Sequence, residues 1–129
     1  MGHEIIQYRN RHVIVPDFDS WALRHFLLVE AQTSGNAHLE AFIQGWEWIG
    51  PGIYMGIDFA TFFNEDASRE RSFCGVLSAA RKRLQSFGMF VPLEYIAENI
   101  NSSNASFTEA RPVKRWVSQI DKLRELFLT

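Results

Sequence analysis

The period of hydrophobic and polar positions changes several times along the chain, and each change predicts an element. Residues 4–15 hold two short β-prone runs, Ile5 to Tyr8 and His12 to Val15, separated by Arg9-Asn10-Arg11, which predicts a strand or small hairpin. An apolar run follows Asp17 and Asp19. Either carboxylate can accept from the free amides of a first helical turn, so a helix is predicted over about 20–32. After Ser34-Gly35, the residues Leu39, Phe42, Ile43 and Trp46 recur at helical spacing, with Asn36 as cap, and predict a second helical arm over 36–49. Leu39, Ala41 and Ile43 also alternate with His38, Glu40 and Gln44, so a β-hairpin around TSGN is the competing reading.

Further on, Gly50-Pro51-Gly52 marks a turn, Ile53 to Ile57 a short strand, and Asp58 a cap for a short helix through Phe63. Phe73, Leu77, Ala80, Leu84 and Phe87 recur at spacings of 4, 3, 4 and 3, which predicts a helix near 68–87 that Gly88 stops. Pro92 fits the first turn of a short helix, LEYIAENI, that runs into the polar loop NSSNAS. Pro112 opens the last helix, in which Val113, Trp116, Val117, Ile120, Leu123 and Phe127 form one apolar stripe. The expected fold is α+β and mostly helical: a small N-terminal β element with about five helices in one domain, 1–129. The 68–87 and 112–127 helices are expected to pack by their stripes.

Composition supports a folded domain, with 47% hydrophobic and 22% charged residues over 129 positions. The aromatic stretch 45–63, GWEWIGPGIYMGIDFATFF, does not read as a membrane span, because Glu47 and Asp58 lie inside it and Gly50-Pro51-Gly52 would break a helix. The apolar run Val13 to Val15 is too short for a secretory signal, and the single cysteine, Cys74, excludes an internal disulfide. A cytoplasmic location is the expectation.

Charge is unevenly divided. Residues 1–66 hold nine acids and three bases, and residues 67–129 hold six acids and ten bases. Arg69, Arg71, Arg81-Lys82-Arg83, Arg111 and Lys114-Arg115 could contact phosphates, so a nucleic-acid-binding or regulatory domain is one alternative. Against it, the sequence pI is about 6.1 and three of these bases fan around consecutive helical positions.

No enzymatic constellation is legible. Cys74 lies beside Phe73 on the predicted helix and reads as a small apolar residue. His38-Leu39-Glu40 resembles the H-x-E element of zinc-dependent nucleobase deaminases, but the P-C-x-x-C partner that completes their zinc site is missing. His3, His12, His25 and His38 lack metal-ligand spacing, and the glycines form no phosphate-binding loop. No catalytic residue, metal or cofactor is therefore assigned, and an enzyme or ligand binder with a site assembled from distant residues is a further alternative.

In the aromatic stretch, Trp46, Phe59, Phe62 and Phe63 are expected in the core. Trp48 and Tyr54 flank the Gly50-Pro51-Gly52 turn among Glu47, Asp58, Glu65 and Asp66. Large aromatics are favoured at interface centres, and the surrounding carboxylates would suit a basic partner. Glu47, Trp48, Tyr54, Asp58, Glu65 and Asp66 are thus the candidate partner-binding residues, and exposed aromatics would equally serve a homodimer. In size and character over its whole length, the chain resembles the bacterial immunity proteins. That resemblance implies a non-enzymatic inhibitor that neutralises a cognate toxin, basic and of nuclease type, by direct binding.

Overall fold

A computed structural model describes residues 3–8, 11–45, 55–59, 63–64, 66–102 and 106–127. Strands β1 (His3–Tyr8) and β2 (Arg11–Pro16) pair antiparallel, with Ile6 opposite Val13, as the two β-prone runs predict. Strand β3 (Met55–Asp58) lies on the other side of β1 and runs parallel to it, giving the order β2-β1-β3. Parallel strands cannot be joined by a tight turn. The chain between β2 and β3 accordingly carries two helices.

These are α1 (Asp17–Ser34) and α2 (Ala37–Gln44), so the β-hairpin alternative for this region is not what forms. Gly35 sits at φ 71°, and the amides of Gly35 and Asn36 donate back to the carbonyls of Gln32 and Ala31 at 3.1 and 3.2 Å. This left-handed closure satisfies the last carbonyls of α1 and favours a residue without a β-carbon. Asn36 then caps α2 by accepting from the Leu39 amide at 3.0 Å. At the start of α1 the expectation fails: Pro16 occupies the cap position and no side chain caps it. Asp19 is instead buried against the last helix.

Helix α3 (Ala67–Ser86) matches the 68–87 prediction, and Gly88, at φ 89°, turns the chain out of it. Strand β4 (Phe90–Val91), helix α4 (Leu93–Asn99) and strand β5 (Arg111–Pro112) follow, and α5 (Val113–Glu125) is the last element. The two-residue ribbon, with Phe90 opposite Pro112 and Val91 opposite Arg111, was not foreseen by periodicity because each strand is too short to show one. Asn101 exchanges two hydrogen bonds with the backbone of Phe107, at 3.0 and 2.8 Å, and so closes the polar loop between α4 and β5.

The fold is therefore mostly helical α+β, with five helices among the described residues. Its core joins Ile6, Tyr8 and Val15 from the sheet to Phe26 and Leu27 of α1, Phe73 and Leu77 of α3, and Trp116 and Ile120 of α5. Helices α3 and α5 pack by their apolar stripes as expected. Phe59 and Phe63 are buried, 4.7 and 6.1 Å from the ring of Phe73, and Phe127 meets Phe59 edge-on at 5.1 Å. Core filling thus accounts for Phe59 and Phe63, while Trp46 and Phe62 lie outside the described residues. No helix among the described residues is long and apolar enough to cross a membrane.

Candidate functional site

Of the candidate partner-binding residues, Glu47, Trp48, Tyr54 and Glu65 lie outside the described residues. Asp58 ends β3, opposite Gln7 of β1. Asp66 is exposed and caps α3: its Oδ1 accepts from the Ser68 amide at 2.9 Å and from the Ser68 hydroxyl at 2.6 Å. Arg69, one turn along, lies 3.8 Å from Oδ2. The Ser68 hydroxyl and amide stabilise the ionised carboxylate and hold its pKa below the ordinary value.

Asp66 stands at one end of a cleft between α3 and the α1–α2 corner. A cavity of about 260 Å³ is bounded by Asn36, His38, Leu39, Asp66, Ser68, Arg69 and Ser72. It adjoins, through Asn36 and Ser72, a second space of about 370 Å³ that reaches Glu30, Thr33, Ser34, Gly75, Val76 and Ala79. The cleft exists because α3 presents small side chains there: a β-carbon on Gly75 would meet nothing within 4 Å.

The bases of the C-terminal half are held in a way the sequence did not reveal. Arg81 on α3 donates to both carboxylate oxygens of Asp121 on α5, at 2.9 and 3.4 Å. Arg83 pairs with Glu30, a residue of α1 that is only 8% exposed. Arg115 pairs with the buried Asp19, and Arg111 lays its guanidinium over the Phe107 ring, 5.4 Å from the centroid. Burial opposes ionisation of Asp19, but hydrogen bonds from Arg115, Gln119 and Trp116 outweigh it and leave the pKa lowered. The carboxylate partners of Arg81, Arg83 and Arg115 could not be read from local sequence, because each pair joins two helices far apart in the chain.

The candidate reactive groups are placed as structural elements. Cys74 is half-buried against the core, and burial followed by the nearby Glu70 carboxylate pushes its thiol up, away from the nucleophilic thiolate. His25 on α1 has Nε2 2.8 Å from the Tyr95 hydroxyl of α4. Burial, then the charges of Arg83 and Arg24, lowers its pKa to about 4. The imidazole is therefore neutral at pH 7, with its polar edge turned to Tyr95. Among the described residues, no group of three or more His, Cys, Asp or Glu side chains could hold a metal ion.

Fold and site together define a small mostly helical α+β protein with a shallow cleft beside α3 and with Arg81, Arg83 and Arg115 paired to carboxylates of other helices. Comparison with protein-family models, curated proteins and solved structures finds no significant match to the chain.

Proposed function

We propose that this protein acts by binding another protein, as an inhibitor of the immunity type that captures a basic toxin. The observation that carries the reading is the pairing of C-terminal bases with carboxylates on other helices. Arg81, Arg83 and Arg115, central members of the cluster that would contact phosphates, are tied to Asp121, Glu30 and Asp19. Pairing of this kind withdraws positive field from the surface and weakens a nucleic-acid partner's claim.

The acidic half gives up Asp19 and Glu30 to the same ion pairs but keeps an excess of acids along its sequence. Between Arg24 and Arg69 the chain contains no lysine or arginine, yet carries Glu30, Glu40, Glu47, Asp58, Glu65 and Asp66. Glu30 is taken by Arg83 and Asp66 lies 3.8 Å from Arg69, and the excess of acids over bases in this stretch would steer a basic protein and accelerate its capture. Trp48 and Tyr54 in the same stretch would supply the anchors that slow release.

The test is capture of partners from the native cell extract by two purified forms, the wild type and a variant carrying Glu47→Lys, Asp58→Lys, Glu65→Lys and Asp66→Lys. Recovery of one basic protein by the wild type and its loss from the variant is the expected result. Equal recovery by both forms, with the variant's circular dichroism unchanged, would overturn the reading.

A further inference from the structure

The larger lobe of the cleft beside α3, about 370 Å³, has a carboxylate in its wall. Among the described residues that line it, Glu30 is the one charged group, and the others are hydroxyls, an amide and small or apolar side chains. A space of this size can take a small ligand group. Glu30 is only 8% exposed, and a charge so far out of water needs a partner. Arg83 pairs with it through Nε and Oε1, but Arg83 does not line the cavity, and its side chain is 40% exposed. Glu30 Oε2 accepts no hydrogen bond among the described residues, so the carboxylate keeps acceptor capacity beside the cavity.

The hydroxyls of α1 act in the same sense. Thr33 donates to the Val29 carbonyl at 2.8 Å and Ser34 to the Ala31 carbonyl at 2.9 Å, so both protons are committed and only lone pairs remain for a ligand. A lining of acceptors suits a group that only donates, and an ammonium has three N–H bonds and no acceptor. Val76 and Ala79 supply apolar surface for an aliphatic stem, and Gly75 leaves the space open. In the adjoining lobe Asp66 is offset by Arg69 at 3.8 Å, and His38 is the remaining titratable group, so the carboxylate that sets the sign of the larger lobe is Glu30. We infer that the larger lobe receives a lysine side chain of a basic partner, with its stem along Val76 and Ala79 and its ammonium on Glu30 and the Thr33 and Ser34 oxygens. That the lysine belongs to a protein rests on the inhibitor reading, whereas the preference for a cationic amine does not. Through Asn36 and Ser72 the lobe is continuous with the space beside Asp66, a member of the proposed partner-binding set.

The test titrates the full chain, 13C-labelled at its threonine and valine methyl groups, with N-acetyl-lysine methylamide, the norleucine counterpart of that compound, and n-pentylamine. The Thr33 and Val76 methyl resonances are expected to move with the lysine compound at millimolar concentrations and to stay in place with the norleucine compound. Arg83→Gln removes the competing cation and should tighten the lysine compound several-fold, a response that a purely structural Glu30 would not give. Gly75→Leu fills the open space and leaves Glu30 and Arg83 as they are, so it should keep the melting temperature and weaken binding by at least about tenfold. The inference is overturned if the lysine compound moves neither methyl, if the norleucine compound moves both equally, if Arg83→Gln leaves the affinity unchanged, or if Gly75→Leu binds like the wild type. Tighter binding of n-pentylamine than of the lysine compound also overturns it, because a free amine is then the occupant. In the capture experiment Gly75→Leu should lose the basic protein that the wild type recovers, and its retention would overturn the inference while leaving the inhibitor reading in place. Where the wild type recovers nothing, the inhibitor reading falls and the titration decides the cavity.

Discussion

Arg115 and Asp19 stand 96 positions apart, yet Arg115 donates from Nε at 3.0 Å and Nη2 at 2.6 Å to one oxygen of Asp19. The other oxygen accepts from Trp116 Nε1 at 3.0 Å. Asp19 thereby ties the start of α1 to the first turn of α5. Its removal leaves a buried indole N–H without an acceptor, so Asp19→Ala is expected to lower stability by about 2–4 kcal/mol in urea unfolding.

The same carboxylate makes stability depend on acid. Its folded pKa lies below the ordinary carboxylate value of 3.8, so the ionised form favours folding. The contribution is complete above pH about 4 and is lost as pH falls through the lower, folded pKa. Unfolding free energies measured from pH 5 downward should fall less steeply in Asp19→Asn than in the wild type over that acid window.

His25 acts at higher pH. The unfolded imidazole titrates near 6.5 and the folded one near 4, so the unfolded chain binds the proton first. Stability is complete above pH 6.5 and declines as pH falls toward 4, by an amount on the order of 2–3 kcal/mol once solvent screening is allowed for. His25→Gln keeps a polar group facing Tyr95, and its unfolding free energy should be nearly flat across that window.

Two glycines should respond in opposite senses to alanine. Gly88 sits at φ 89°, where a β-carbon is strained even though it would touch nothing within 4 Å, and Gly88→Ala is expected to destabilise by about 1–2 kcal/mol. Gly75 lies within α3 over open space, so Gly75→Ala should stabilise by about 0.5–1 kcal/mol. Paired thermal melts would show both signs.

Because Arg81, Arg83 and Arg115 are committed to carboxylates, titration with duplex DNA or single-stranded RNA at about 50 mM salt should show no saturable binding. A steep, salt-sensitive isotherm would restore the nucleic-acid reading and displace the inhibitor.

Much of the local architecture is written in short-range rules. The Ser34-Gly35-Asn36 junction, the α3 stripe from Phe73 to Leu84, the Gly88 stop and the β-prone runs at 5–8 and 12–15 depend on sterics and hydrogen bonds between near neighbours, and they appear where the sequence places them. The sequence by itself thus determined the order and kind of most elements, and the marked charge difference between the two halves.

Tertiary structure decided what individual polar and apolar residues are for. Asp19 looks like a cap beside Pro16, but the approach of α5 offers it two charge-assisted bonds and an indole, and it turns inward. Arg81 and Arg83 look like part of a basic run, yet the helices packed beside α3 bring Asp121 and Glu30 within reach. Phe90 carries no mark that separates it from a core residue until its pairing with Pro112 sends Val91 inward and leaves Phe90 in water. In each case the deciding free energy comes from a partner far away in sequence, whose proximity is created only when the helices and strands close around the core.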